Sequence, residues 1–263
     1  MSPETSGAGL LDDAYEEADD RSRMSFLEHL EELRRRLLYS FYALLACCSV
    51  SFFFWEPLFA YFIGYFSANG GHLIFTQPMA GFMFSLKLSA LVGLLVASPF
   101  LFTQLWLFIA PGLYAREKKV VIPFTFFATA FFISGAYFAH EVAFPSMMRF
   151  FATYEIGPLA FMPTLGDVFG LYVKTVLGLG IVFQMPMLVF FLARFNIVTA
   201  GFMIRKFKYA VLIIVVVAAV ITPSSDPVNL AIFSAPMLVL YVISIGVAWV
   251  FGKKKVKDKD NDE

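Results

Sequence analysis

The sequence predicts an all-α, polytopic membrane protein with six transmembrane helices. Of its 263 residues, 59% are hydrophobic and only 15% are charged, whereas soluble domains average about 25% charged residues. The 215 residues from Leu37 to Phe251 carry just 16 charges. Acidic residues concentrate before residue 33 and after residue 257, so the sequence predicts a lipid-embedded middle between two solvated ends.

Six apolar stretches approach the roughly 20 residues that a spanning helix needs. They run from about Leu37 to Trp55, Met83 to Phe108, Val120 to Tyr137, Val168 to Ala193, Tyr209 to Ile221 and Leu230 to Val250. The proline-containing segment from Thr222 to Pro227 separates the last two, because it cannot continue a helix. The fifth stretch is short for a full bilayer, which predicts thinned lipid or a turn below the membrane surface.

The distribution of Lys and Arg predicts the orientation. If the six stretches all cross the membrane, 17 of the 20 basic residues fall on the side that holds both termini. Only Lys87, Arg149 and Lys174 fall on the other side. Because basic residues favour the cytoplasm, both termini are expected to be cytoplasmic, with outward loops at about 56–82, 138–167 and 222–229.

The composition divides the sequence into three regions. Residues 1–24 are acidic and contain Gly, Ser and Pro, and residues 252–263 alternate Lys with Asp, so both are expected to be disordered, charged tails. The membrane domain extends over residues 25–251. It starts with a short amphipathic helix, because Ser25 and Glu28 form a capping box and leucines recur at helical spacing.

Several classes of function are disfavoured. A net charge of zero argues against a nucleic-acid binder. Adjacent Cys47 and Cys48 cannot form a spaced metal site, the three histidines are scattered, and neither a phosphate-binding loop nor a nucleophile elbow is present. No cofactor, metal or enzymatic activity is predicted.

Acidic side chains on the predicted cytoplasmic side allow two interpretations. Glu117, in an otherwise basic loop, either forms a local salt bridge or presents a carboxylate to a cationic partner. Glu31 and Glu32 allow the same choice, because Glu31 with Arg35 and Glu32 with Arg36 have the i, i+4 spacing that supports a helix.

Two polar residues near or within the spans are also candidates. Gln184 lies one turn from Pro186, so it either satisfies backbone groups that the proline frees or lines a polar concavity in the bilayer. Asp226, at the outer end of the fifth span, is either a turn cap or a functional acid.

The sequence resembles the TatC family of the twin-arginine protein translocase from about residue 25 to 250. One matching motif is the segment His29 to Leu38, His-Leu-Glu-Glu-Leu-Arg-Arg-Arg-Leu-Leu, ahead of the first span. The most specific motif runs from Trp106 to Glu117 and includes Ala110-Pro111-Gly112-Leu113-Tyr114. Further matches are Phe144-Pro145, Phe183 with Pro186, Thr222-Pro223 with Asp226-Pro227, and Ala235-Pro236.

The resemblance implies a concave bundle in the bacterial cytoplasmic (inner) membrane that acts as a receptor. Such proteins bind the twin-arginine signal peptides of folded cargo, assemble with single-span TatA and TatB partners as oligomers, and depend on the proton-motive force. The family motif places the arginine acceptors at Glu117 and Glu32, with Phe108 nearby and Arg34 at a basic position. A carboxylate suits this role because it can pair with guanidinium through two hydrogen bonds.

The sequence also departs from the family pattern. Gln184 stands where the family commonly has Glu, so any role there, including contact with a partner, must use hydrogen bonding. Leu230, Val242 and His140 likewise replace polar or aromatic residues that are usual in the family. The membrane interior is therefore expected to be less polar than is usual.

The residues alone also allow two other functions. A small-solute secondary transporter should contain broken helices or paired charges near the bilayer midplane, and Gln184 beside Pro186 is the candidate for such a site. An intramembrane enzyme should bury a nucleophile with a base, and no histidine falls in the middle of a predicted span. The family resemblance favours the receptor over both.

Overall fold

The structure, a computed structural model, is built from α-helices and confirms the predicted all-α class. It describes residues 6–68, 73–109, 118–154, 161–222 and 226–251. In these ranges the helices are α1 (Ser6–Phe53), α2 (Trp55–Ala68), α3 (Ala80–Ile109), α4 (Lys118–Phe138), α5 (Phe144–Ala152), α6 (Leu165–Val182), α7 (Met185–Arg194), α8 (Ala200–Arg205), α9 (Phe207–Ile221) and α10 (Pro227–Phe251).

Five helical segments of the described chain are long and apolar enough to cross a membrane. They are His29–Phe53, Ala80–Phe108, Ile122–Ala152, Leu165–Arg194 and Pro227–Phe251. The sixth apolar helix, α9, has only 15 residues, about 22 Å at the helical rise of 1.5 Å per residue. The hydrocarbon core is about 30 Å thick, so the prediction that the fifth stretch is short is confirmed.

Helix α1 begins much earlier than the first apolar stretch. It starts at Ser6 and so covers most of the segment for which the composition predicts disorder. The tail at 252–263 lies outside the described residues, and the division into two tails and a membrane domain stays a prediction.

The predicted loops at 56–82 and 138–167 contain helices. Helix α2 packs on α3 and buries Phe62 and Phe66 in the main core. A π-helical turn at Ala139–Ala143 joins α4 directly to α5, where Phe144 and Met147 are buried. With 14 and 9 residues, α2 and α5 are each too short to be a separate membrane crossing, which is why a prediction from apolar length leaves them in loops.

The fourth span is broken in two. Helix α6 ends at Val182 and α7 begins at Met185, with Pro186 in the first turn of α7. Proline is accepted at that position because its missing N–H would have no partner inside the helix. The break places Gln184 between two helices and not inside one.

Small residues bring the helices close together. A Cβ atom on Gly93 of α3 would lie 2.7 Å from the backbone N and Cα of Cys48 on α1. A Cβ atom on Gly135 of α4 would lie 2.8 Å from the carbonyl oxygen of Leu179 on α6. In lipid such close van der Waals packing is a main source of helix association, because there is no hydrophobic driving force between helices.

Candidate functional site

The motif residues near the N-terminus lie where α1 packs on α3. His29, Glu32 and Arg36 recur at intervals of three and four residues, so they share one face of α1. Gln104 and Phe108 are four residues apart and share one face of α3. Contacts between these two faces place Glu32, through Arg36, and Phe108, through His29, at the same junction.

Arg36 is the residue that connects the two faces. Its Nη2 donates to Oε1 of Glu32 at 3.1 Å, and its Nη1 donates to Oε1 of Gln104 at 3.2 Å. The side chains of Arg36 and Glu32 are 20% and 23% exposed, so solvent screening of this ion pair is only partial. The local salt bridge considered from the sequence is therefore present, and it fixes the Glu32 carboxylate against α3.

An aromatic contact lies one turn further along the same junction. The rings of His29 and Phe108 are stacked, with centroids 4.6 Å apart and an angle of 21° between the planes. Trp106 is buried and stacks on Phe124 of α4 with centroids 4.2 Å apart. These contacts hold the end of α3 against both α1 and α4.

Arg34 lies elsewhere on α1. It is exposed and, with Glu31, Glu32, Arg35 and Leu38, lines an open groove of about 450 Å³. It therefore does not join the contact between Arg36 and Gln104, although the Glu32 side chain borders both. The role of Arg34, which the resemblance places at a basic position of the family, stays a prediction.

Glu117 lies outside the described residues, as do the neighbouring positions 110–116. The described chain stops at Ile109, directly after Phe108, and resumes at Lys118 with the first turn of α4. The role of Glu117 therefore stays a prediction.

Gln184 connects two membrane helices. Its Nε2 donates to the backbone carbonyl oxygen of Ala128 on α4 at 2.9 Å. This carbonyl belongs to a neighbouring helix and not to the turn that Pro186 interrupts. The side chain is partly buried, so its hydrogen bond offsets much of the cost of placing an amide at this depth.

Asp226 caps the first turn of α10. Its Oδ2 accepts a hydrogen bond from the backbone N–H of Asn229 at 2.8 Å, and its Oδ1 accepts one from the Asn229 amide at 2.9 Å. Ser146 of α5 in turn donates to Oδ1 of the buried Asn229 at 2.5 Å. The geometry is that of a helix N-cap, the first of the two interpretations considered from the sequence.

A cluster of aromatic residues surrounds His140 in the π-helical turn. The hydroxyls of Tyr61 and Tyr172 lie 3.2 and 3.0 Å from its two ring nitrogens, and the Tyr65 ring stacks on it with centroids 4.1 Å apart. Burial, together with the nearby Glu141 carboxylate, raises the pKa of Tyr65 to about 12. The Tyr65 hydroxyl donates its hydrogen to the backbone carbonyl oxygen of His140.

Two features of the site were missed from the sequence. The hydrogen bond between Arg36 and Gln104 joins residues 68 positions apart, and Gln104 lies in a motif with no charge pattern to mark it. The His140 cluster joins α2, the π-helical turn and α6, and π-helical geometry has no simple sequence signature.

Metal binding has no geometric support in the described part of the chain. No group of three His, Cys, Asp or Glu side chains there lies close enough together to hold a metal ion.

Comparison with known proteins defines the class of protein to which this chain belongs. The sequence model of the family described as "Sec-independent protein translocase protein (TatC)" matches residues 28–236. A TatC protein of this description from Koribacter versatilis (strain Ellin345) is 42% identical over 249 residues, covering 91% of each chain. Another from Helicobacter pylori (strain J99) is 36% identical over 234 residues, covering 89% of this chain and 92% of the relative.

Solved structures that resemble this chain also belong to TatC proteins. A crystal structure titled as the twin arginine translocase receptor TatC matches with a TM-score of 0.69 and 30% identity, covering 84% of this chain and 97% of that one. A second crystal structure of TatC, in the detergent DDM, matches with a TM-score of 0.71 and 29% identity.

The helical architecture and these matches define a multi-pass membrane component of a protein translocase, not a catalytic enzyme in the usual sense. The chain belongs to the TatC family of Sec-independent protein translocase proteins. The resemblance found in the sequence is thereby confirmed, and the family assignment favours protein translocation over small-solute transport.

Proposed function

We propose that this chain is the receptor that binds twin-arginine signal peptides for the export of folded proteins. The junction of α1 and α3 carries the proposal, because there Arg36 holds the Glu32 carboxylate and the Phe108 ring stacks on His29, one turn before Glu32 on α1. Arg36 contacts Oε1 of Glu32, which leaves Oε2 as the acceptor for a cargo guanidinium. Glu117 supplies the second carboxylate, and the apolar segment of the signal peptide enters a groove between the spans.

The orientation and the location belong to the same proposal. Both termini face the cytoplasm of a bacterial cell, with the chain in the cytoplasmic (inner) membrane, because 17 of the 20 basic residues then lie inside. This orientation puts the α1–α3 junction on the cytoplasmic side, where newly made cargo arrives. Arg34 to Arg36 then lie at the level of the lipid headgroups, where arginines bind phosphate.

The proposed partners are single-span proteins of the TatA and TatB type. Together with further copies of this chain they form an oligomeric complex that uses the proton-motive force. The chain itself supplies the binding surface for cargo, and neither a cofactor nor a metal is needed for such binding.

The receptor proposal predicts a strong preference for arginine over lysine. Solubilised protein should retain a twin-arginine peptide far better than the same peptide with two lysines, because lysine cannot form the paired hydrogen bonds of guanidinium. Glu117→Gln should lower retention of the arginine peptide by about ten- to a hundredfold, the contribution of a charge-assisted hydrogen bond of about 1.5–3 kcal/mol. Crosslinking of a labelled peptide measures both effects.

Two outcomes would contradict the receptor proposal. Equal retention of the arginine and lysine peptides would show that the protein does not recognise the guanidinium group. Undiminished capture by both Glu117→Gln and Glu117→Ala would remove the central role assigned to that carboxylate.

A second prediction concerns Gln184 and the partners. Gln184→Ala removes the hydrogen bond to the Ala128 carbonyl and should impair assembly with the single-span partners more than it impairs peptide capture. Co-purification of a tagged TatA- or TatB-type protein measures assembly. Gln184→Glu restores the residue that is common in the family and serves as the matched control. If the alanine variant assembles with the single-span partners as well as the wild type does, the proposed contact between Gln184 and those partners is excluded.

A further inference from the structure

A groove on the membrane-embedded surface contains two lysines. It has a volume of about 530 Å³ and lies between α1, α3 and α6. Its lining is apolar apart from these lysines and Cys48, and it consists of Leu44, Cys48, Lys87, Ala90, Leu91, Leu94, Phe169, Gly170, Val173, Lys174 and Leu177. We refer to it as the lysine groove.

The two lysines lie at similar depths. Lys87 is seven residues from the start of α3, and Lys174 is nine residues from the start of α6, or about 10 and 14 Å along the two helices. A β-bridge between Ile74 and Thr164 ties the segments before these helices together. Both lysines therefore lie toward the same side of the helix bundle, near the ends from which α3 and α6 start, and a lysine side chain can turn its ammonium group toward that side.

Neither ammonium group has an ion-pair partner within the described ranges of the chain. Asp167, two turns before Lys174 on the same helix, accepts a hydrogen bond from the hydroxyl of Thr164, the N-cap residue of α6. Two uncompensated cations beside an apolar surface are costly in a membrane. The local charge of +2 therefore calls for an anion that also presents hydrocarbon to the groove.

We propose that the lysine groove binds an anionic phospholipid from the leaflet nearest the starts of α3 and α6. The phosphate lies between Lys87 and Lys174, and an acyl chain lies along the leucines and Phe169. A phospholipid fits better than an acidic partner helix for a steric reason: the groove is a shallow, open depression with an apolar lining, and acyl chains adapt to such a surface without a matching shape. In the proposed orientation this is the outer leaflet.

Replacing Gly170 with a larger residue would fill part of the lysine groove. A Cβ atom added there meets nothing within 4 Å, so a larger side chain can extend into the space without displacing the backbone. Gly246 on α10 is equally open and lies outside the groove, so it provides a matched control.

The test is a titration of the full purified chain with phosphatidylglycerol and with phosphatidylcholine of the same acyl chains, followed by native mass spectrometry. The wild type should prefer phosphatidylglycerol. Lys87→Gln and Lys174→Gln should each weaken its binding about fivefold and the double variant about thirtyfold, as expected for about 1 kcal/mol per basic residue near anionic lipid. Gly170→Leu should reduce binding of both lipids, and Gly246→Leu should leave both unchanged.

A control for charge alone is the double variant Lys206→Gln and Lys208→Gln, which removes two cations that lie near the Tyr209 ring. It should retain most of the phosphatidylglycerol binding. Equal losses in the two double variants, or none in the Lys87 and Lys174 variant, would overturn the proposal. Loss of a co-purifying acidic single-span protein without a change in lipid binding would assign the lysines to a partner helix.

Capture of a twin-arginine peptide, measured on the same variants, separates this inference from the receptor proposal. The lysine variants should capture peptide normally, because Lys87 lies near the start of α3 and Phe108 near its end, and neither lysine contacts Glu32 or Phe108. Thermal unfolding in detergent verifies that each variant is folded.

Discussion

Gly93→Leu should separate α1 from α3 and destabilise the protein strongly. A Cβ atom at this position would lie 2.7 Å from backbone atoms of Cys48 and 2.8 Å from its Sγ, and a backbone cannot turn aside as a flexible side chain can. Overpacking typically costs about 1–3 kcal/mol, and a contact with backbone belongs at the upper end of that range or above it, which exceeds the gain of about 1 kcal/mol from removing a helical glycine. Thermal unfolding in detergent measures the loss.

Gly246→Leu is the control for helix propensity. Gly246 also lies in a membrane helix, but an added Cβ there meets nothing within 4 Å. Its replacement should leave the free energy of unfolding unchanged or raise it slightly. If the Gly93 and Gly246 variants unfold at the same temperature, the close approach of α1 and α3 is not a significant source of stability.

The second large effect is expected at Glu32. Glu32→Gln should weaken capture of a twin-arginine peptide by about ten- to a hundredfold, because it removes a charge-assisted hydrogen bond worth about 1.5–3 kcal/mol. Glu32 is also held by Arg36, so the carboxylate does not have to be ordered when the peptide binds. A binding titration with a labelled peptide measures the change.

Glu31→Gln is the matched control for this prediction. It removes the same charge from the adjacent position, but Glu31 is exposed and borders the open groove near Arg34. It should change peptide affinity less than threefold if general electrostatics contributes about 0.5 kcal/mol. Equal losses in both variants would show that the acidic character of α1, and not the α1–α3 junction, attracts the peptide.

The sequence predicts most of the helical architecture because apolar length is directly readable. The ends of α3, α9 and α10 fall within three residues of the predicted spans. The break in the fourth span was not predicted, because Pro186 is compatible with either a kinked helix or a new first turn. The structure shows the new first turn, since α6 ends at Val182 and α7 begins at Met185.

The candidate site was predicted less completely than the fold. The motif identified Glu32 and Phe108, and the i, i+4 rule identified the pair of Glu32 with Arg36. The rule could not reveal that Arg36 also bonds Gln104, because that contact depends on how α1 and α3 pack. The position of Arg34, on a different face from the junction, follows from the helical phase only once the α3-facing side of α1 is known.

The π-helical turn at Ala139–Ala143 fixes the rotational phase of α5. Such a turn holds one residue more than a regular α-helical turn, and one residue corresponds to about 100° of rotation about the axis. Deleting a single residue from this turn would keep the chain helical but swing Ser146 about a quarter of a circle away from Asn229. The one extra residue of the π-helical turn therefore determines whether Asn229, in the first turn of α10, receives the hydrogen bond from Ser146.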